Sequence, residues 1–384
     1  MSHRFTRRDF LKAGALAAAA SVVSGCTINL QRTEYLESYV MPPEEGLPGE
    51  NLWYASTCLQ CPAGCGVIAR VSNGRARKVE GNPLHPLNRG KLCARGQAML
   101  QELYDPDRLR NAVRQSAGRG QLQFEPLYWE DALEAVLGRL RTAGADGVAF
   151  LAGNVPSHLW RLLTRFAEAL GARPPVAYTL GDELQGRQGL AATSQALFGT
   201  AALPYYDLAE ADVVFSFGAG FLENWLSPVS LGRAYGQMRR RSLGRRGYIV
   251  QFEPRYSATA VSADEWVPIR PGSEGLAALA IGRIIVEENL GEAGQYRDLY
   301  AEIDVGEMAE AAGVSAESLE RLARAFAAGP AQVAIAGASL VAQRGGERNV
   351  RAVQALNHIM GRYGAPGGVF LPGDPGVEGF APPP

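Results

Sequence analysis

The sequence predicts an α/β protein in which a small β-rich, cysteine-bearing domain precedes a larger region of parallel sheet. Three observations carry that expectation. Four of the five cysteines, Cys58, Cys61, Cys65 and Cys93, fall in one stretch that closes at Gly96. Inside it, Asn73-Gly74 separates two runs of alternating apolar and polar residues, the pattern of a tight hairpin. Beyond residue 129, short apolar runs ending in glycine or proline alternate with helical periodicities.

The chain has 384 residues, enough for two or three domains. Its 38 basic and 39 acidic residues nearly cancel, so nothing points to a nucleic-acid surface. Only 4 histidines are present, little material for a histidine metal site, and five cysteines in so long a chain do not make a disulfide framework. The cysteine arithmetic is four clustered residues plus Cys26.

The first element in order is an address. Thr6-Arg7-Arg8-Asp9-Phe10-Leu11-Lys12 matches the twin-arginine export pattern, with Arg7 and Arg8 as its signal pair. Ala13 to Val23 is a short apolar run, well below the ~20 residues that span a bilayer. The bland alternative is a basic N-terminus ahead of an alanine-rich helix. Val23-Ser24-Gly25-Cys26 resembles a lipobox, which would lipidate Cys26 and anchor the chain to a membrane surface; the alternative is an ordinary cleavage site. Residues 1–26 thus form the signal segment, and the Pro/Gly-rich residues 27–50 read as a tether.

Residues 51–105 form the cysteine domain. The spacing C-x2-C-x3-C with a distant fourth cysteine suits a [4Fe–4S] cluster, each iron taking one thiolate. The rival is a structural zinc site, although zinc ribbons pair two C-x2-C knuckles and Cys65 with a lone Cys93 does not. Pro62, Gly64 and Gly66 permit the turns that aim several thiolates inward. Val67 to Val71 and Arg75 to Glu80 form the hairpin, and the irregular loop from Gly81 to Gly90 returns the chain to Cys93. His85, between Leu84 and Pro86, reads as a loop or packing residue rather than a ligand.

The remaining elements alternate. Helical periodicity covers Trp129 to Arg141, with Ala132, Leu133, Val136 and Leu140 on one side, and then Trp160 to Leu170. Gly147 to Leu151 reads as a buried strand before Gly153, Asp212 to Phe217 as a second entering Gly218-Ala219-Gly220, and Tyr248 to Phe252 as a third ending at Glu253-Pro254-Arg255. Glu265 to Arg270 is a fourth, followed by Pro271-Gly272-Ser273-Glu274 and a helix from Leu276 to Glu288. A helix from Ala316 to Ala328, a strand from Gln332 to Ala336 and a helix from Glu347 to Met360 complete the series. Such alternation implies parallel sheets with ligands at the C-terminal strand ends, where Gly153, Gly218 to Gly220, the Glu253-Pro254-Arg255 turn and Gly337 fall. For any one such glycine taken alone, a tight turn is the stronger reading.

Residues 52 to 110 resemble the iron–sulfur domain of the molybdopterin oxidoreductase family. The matching features are the four cysteines, the Asn-Gly hairpin, Glu80-Gly81-Asn82-Pro83 and Gly90-Lys91-Leu92-Cys93-Ala94-Arg95-Gly96. The resemblance implies that Cys58, Cys61, Cys65 and Cys93 ligate a [4Fe–4S] cluster and that Arg95 lies between cluster and pterin as an electron-transfer residue. It further implies two Rossmann-like lobes, one inserted in the other: 106–180 with 311–384 as the first, 181–310 as the second. In the family the strand-end loops hold two pterin guanine dinucleotides around molybdenum or tungsten, which assigns Gly218, Gly220, Glu253, Arg255, Gly272 and Glu274 as cofactor-binding candidates.

Three departures qualify that assignment. The position that best matches the family's metal ligand is Gly186, which has no ligating atom; Ser194 is available only in another register. The family's Gly-Ser-Asn loop is Gly218-Ala219-Gly220, without two polar side chains. The sequence reaches Ala381-Pro382-Pro383-Pro384 without the C-terminal barrel of full-length members. Phe215 to Tyr235 and Tyr248 to Gly272 are similar to family members that keep the fold without the metal, the corresponding subunits of alternative complex III and of a periplasmic quinone reductase complex. The expectation is therefore an exported, lipid-anchored, extracytoplasmic electron-transfer subunit of a respiratory complex, with a [4Fe–4S] cluster and a degenerate molybdenum site. Its expected partners are a ferredoxin-like iron–sulfur subunit together with a membrane quinone-interacting subunit. The alternatives are the front part of an active molybdenum or tungsten enzyme and a non-redox scaffold.

Overall fold

The computed structural model describes residues 49–153, 155, 157–178, 186–240, 246–343 and 345–371. The export pair Arg7 and Arg8, the lipobox Cys26, most of the tether and the Pro-rich end lie outside the described residues. No described helix is long and apolar enough to cross a membrane.

The chain divides into two compact units. In the smaller one, the described residues are 49–52 and Val71–Ala76, and Gly49 N–H donates to Asn73 Oδ1 at 2.9 Å. Asn73 and Gly74 both have positive φ, 51° and 71°, as the Asn-Gly hairpin turn requires. The larger unit comprises Trp53–Arg70 and Arg77–Pro384.

Strands β1 (Asn51–Thr57), β2 (Gly66–Ser72) and β3 (Arg75–Gly81) form a sheet in that order. A helix, Ala94–Leu103, starts immediately after Cys93, which is its N-cap. Two short strands, β4 (Ala112–Gln115) and β5 (Phe124–Leu127), pair antiparallel before the helix Trp129–Ala143. The expected apolar side of that helix is real in sequence, yet none of its residues is buried. The buried strand expected at Gly147 to Leu151 is reduced to β6 (Leu151–Ala152), which pairs parallel with β7 (Val176–Ala177). Leu151 is 73% exposed, because a two-stranded sheet has nothing to cover its second face. The helix Ser157–Leu170 connects them.

After the helix Arg187–Phe198 and β8 (Tyr205–Tyr206) comes the main sheet. It contains β9 (Val213–Phe217), β10 (Tyr248–Phe252), β11 (Glu265–Val267) and β12 (Gln332–Ala336) in the order β11-β10-β9-β12, all parallel. Every residue of β9 and β12 is buried, as expected of a parallel sheet covered on both faces. Phe215 packs on Phe326 with ring centroids 4.7 Å apart, and Phe217 stacks on Phe252 at 4.5 Å. β13 (Val369–Phe370) returns antiparallel to β8.

The placement of β12 corrects the expected lobe boundary, which puts residues 311–384 in the first lobe with 106–180. The described part instead joins the second lobe, with Gln332–Ala336 in register beside Val213–Phe217. The helices Ala316–Ala327 and Gly346–Ile359 pack on the helix Glu274–Glu287 of the same lobe. The strand sequence Gln-Val-Ala-Ile-Ala is small and apolar on both sides, so it needs neighbours on both faces, which only the larger sheet supplies. Among the described residues no strands close into a barrel.

Candidate functional site: a four-cysteine centre and the sheet crevice

Cys58 and Cys65 are buried, Cys61 and Cys93 partly so, and all four are free thiols. Cys58 follows β1, Cys65 precedes β2, and the N–H of Cys58 donates to the carbonyl of Cys65 at 2.8 Å, closing the loop that carries Cys61. Two loop residues bring Cys93 in. Asn82 N–H donates to Gly66 O at 2.9 Å, and the wholly buried Asn88 bonds Gly66 through both ends of its amide. Asn88 Nδ2 also donates to Lys91 O at 2.7 Å, two residues before Cys93. His85 is a packing residue, as expected: its ring lies where a side chain at Gly66 would stand.

The thiols act on one another electrostatically. Burial, foremost, raises Cys58, opposed by a backbone N–H from Gln60; the charges of Cys61 and Cys93 raise it further, and Arg95 lowers it. Burial pushes Cys65 up to about 11, with Cys61, Cys58 and Cys93 adding to the shift. Four thiols are thus gathered in one place with Arg95 beside Cys58. Among the described residues no group of three or more His, Cys, Asp or Glu side chains is placed to hold a single metal ion. Tetrahedral zinc would need its sulfurs about 3.8 Å apart, from Zn–S bonds of ~2.3 Å. A cubane cluster takes one thiolate at each of its four irons, and the four gathered thiols supply that number. The donor set fits a [4Fe–4S] cluster.

The second group of candidates sits at the C-terminal ends of β9 to β12. Gly218, Glu253 and Glu274 are buried there, and Gly272 is half-buried. Glu253 accepts from Gln251 Nε2 at 3.1 Å and from the N–H of Ser257 at 3.2 Å. Glu274, 0% exposed at the start of its helix, accepts from Ser339 Oγ at 2.9 Å through Oε1, while Oε2 has no hydrogen-bond partner among the described residues. Burial raises the Glu274 carboxyl; nearby N–H groups and Ser339 pull it down, and the charge of Glu253 pushes it up again. Gly220 and Arg255 gather elsewhere, around Glu223, whose Oε2 lies 2.8 Å from Arg255 Nη2.

That crevice is filled from within. A side chain at Gly218, which has φ +65°, would collide with Ser339, and one at Gly272 would meet Gln343. Gln343 Nε2 donates to Ser339 O at 2.7 Å and ties the two residues together. Gly186 is the N-cap of the helix Arg187–Phe198, with φ 66° and no side chain to offer. Sequence reasoning missed Asn88, Ser339 and Gln343. Asn88 lies in a stretch with no periodicity, and Ser339 is 121 residues from Gly218, so no local signal marks either.

Four gathered cysteines ahead of a parallel sheet with loops at its C-terminal ends define an iron–sulfur oxidoreductase architecture. The chain belongs to the molybdopterin oxidoreductase family: the family's Fe4S4 domain matches residues 52–105 and its molybdopterin oxidoreductase domain matches residues 86–372. The matches support a [4Fe–4S] cluster and admit a molybdenum or tungsten molybdopterin. Among relatives, the menaquinone reductase molybdopterin-binding-like subunit of Nitratidesulfovibrio vulgaris is 29% identical over 328 residues, covering 84% of this chain and 46% of that protein. The molybdopterin-containing subunit of the arsenate respiratory reductase of Shewanella sp. (strain ANA-3) is 30% identical over 297 residues, 74% of this chain and 33% of that protein. The chain therefore spans less than half the length of either relative. Acetylene hydratase from Pelobacter acetylenicus shares the fold, with a TM-score of 0.64 and 20% identity over 80% of this chain and 43% of that one.

Proposed function

We propose that this chain is the iron–sulfur electron-transfer subunit of a membrane-associated respiratory oxidoreductase complex, with no substrate chemistry of its own. The observation that carries the reading is the set of four mutually close free cysteines, Cys58, Cys61, Cys65 and Cys93. A bound cluster supplies one-electron storage. The chain's part is to hold four thiolates, exclude water from Cys58 and Cys65, and set the Arg95 cation beside Cys58. Gln60 Nε2 hydrogen-bonds Glu102, linking the first cysteine loop to the helix that carries Arg95.

A degenerate molybdenum site is supported by Gly186, which offers no ligand, and by Ser339 and Gln343 in the crevice. Export through Arg7 and Arg8 and anchoring through Cys26 at the extracytoplasmic face rest on the sequence motifs. The partners that suit this role are a ferredoxin-like iron–sulfur subunit together with a quinone-interacting membrane subunit. The name of the menaquinone reductase relative supports the second of these.

The second reading, part of an active molybdenum or tungsten enzyme, is favoured by the buried unpartnered Oε2 of Glu274, which a ligand's N–H would satisfy. Metal and pterin analysis of anaerobically purified protein separates the two. About four irons per chain without molybdenum, tungsten or pterin is the expected result. Bound pterin would replace the first reading by the second, and absence of iron after reconstitution would leave only a scaffold.

A further inference from the structure

We propose that the cleft between Cys93 and the helix Pro228–Arg239 is a binding site for a small phosphate-bearing anion. The cleft has a volume of about 690 Å³, within the range of ligand sites. One wall is the segment Lys91 to Ala94, which delivers the fourth cysteine. The other is one face of the helix: Val229, Gly232, Arg233, Gly236 and Gln237 recur at intervals of three and four, continued by the capping residue Arg240.

Three features of that face point to an anion. First, Lys91, Arg233 and Arg240 all line the cleft, and among the described residues none makes a salt bridge. Second, the single carboxylate in the lining, Glu223, is already engaged by Arg255 at 2.8 Å and by the N–H of Ala258 at 2.6 Å. Third, Nε of Arg233 is buried with no acceptor among the described residues. A buried guanidinium N–H without an acceptor is unfavourable, and an incoming oxyanion removes that penalty. Two guanidinium forks and an ammonium provide the donor geometry for phosphate oxygens.

The floor is shaped to admit more than the charged group. Among the described residues, a Cβ at Gly236 would meet nothing within 4 Å, and one at Gly232 would touch only Leu222, at 3.8 Å. The two glycines therefore leave open space above the helix, with Leu222 and Val229 beside it for an apolar or flat body. An anion held here lies against Cys93. In the cluster-loaded protein its charge disfavours adding an electron, so binding lowers the reduction potential. This second consequence rests on the cluster reading; the binding itself does not.

The test is calorimetric titration of the purified, cluster-loaded full chain with inorganic pyrophosphate. Saturable binding is expected, weakening as salt rises and falling about tenfold or more in Arg240→Glu, from the loss of one charge-assisted contact. Gly236→Leu should weaken it comparably by filling the floor without touching a charge. Wild-type binding should also lower the cluster midpoint potential, and Arg240→Glu should abolish that shift. No saturable heat in the wild type, or equal affinity in all three proteins, overturns the proposal. Iron content and visible spectrum, unchanged in both variants, keep that failure separate from failure of the cluster reading. A parallel arm uses phosphatidylglycerol vesicles: retention lost in Arg240→Glu assigns the phosphate to a lipid headgroup, and pyrophosphate binding without retention assigns a soluble one.

Discussion

The side-chain amide of Asn88 grips the backbone of Gly66 at both ends, Oδ1 accepting from the N–H at 3.0 Å and Nδ2 donating to the carbonyl at 2.8 Å. Gly66 follows Cys65, and Asn88 also holds Lys91 O, so a single buried residue ties the third cysteine to the segment bearing the fourth. Asn88→Ala should therefore cost about 2–4 kcal/mol by leaving buried backbone groups short of partners. It should also lower iron occupancy; denaturant melts and iron assays that match the wild type would refute the clamp.

Replacing Cys61 by Ala should abolish the broad visible absorbance of the cluster. Cys61 lies between the buried Cys58 and Cys65 and is itself only partly buried, so the change leaves the packed core intact. An unchanged spectrum at full folding would sink the four-cysteine assignment.

Gly218→Ser puts a polar side chain into the loop after β9 at the cost of a collision. Residue 218 has φ +65°, and its Cβ would occupy the space of Ser339 Oγ. The single variant should lose about 1–3 kcal/mol, typical of a strained left-handed residue with overpacking. Ser339→Gly added to it should return part of that loss. Additive effects in a double-mutant cycle would show that the two residues do not share the space.

Stability should depend on pH through Glu274. Its carboxyl is raised, first by burial, so the native state retains a proton that the unfolded chain has already released. That stabilisation is complete below the ordinary carboxylate value and is lost as pH rises from there toward the raised value. Glu274→Gln keeps an acceptor for Ser339 and removes the titration, so its melting temperature should be flatter across that window. Identical pH profiles for the two proteins would contradict this.

Cys26→Ser should release the chain from membranes if lipidation holds it. A variant that still sediments with membranes would assign retention to partner subunits instead.

By itself the sequence determined the local chemistry. The spacing of Cys58, Cys61 and Cys65 determines which thiols share a loop, and Asn73-Gly74 determines the hairpin, because both are set by backbone geometry over a few residues. The same holds for β10 and β12, whose expected bounds, Tyr248–Phe252 and Gln332–Ala336, are those of the structure. Only the tertiary structure decided which elements meet. It moved β12 from the first lobe to the second, because a strand apolar on both sides goes wherever both faces can be covered. It also set Ser339 against Gly218 and Glu274, a meeting of residues far apart in sequence that no periodicity records. The four cysteines could be read from the chain. Whether the crevice beyond them is open or filled depended on a side chain arriving from the other end of the lobe.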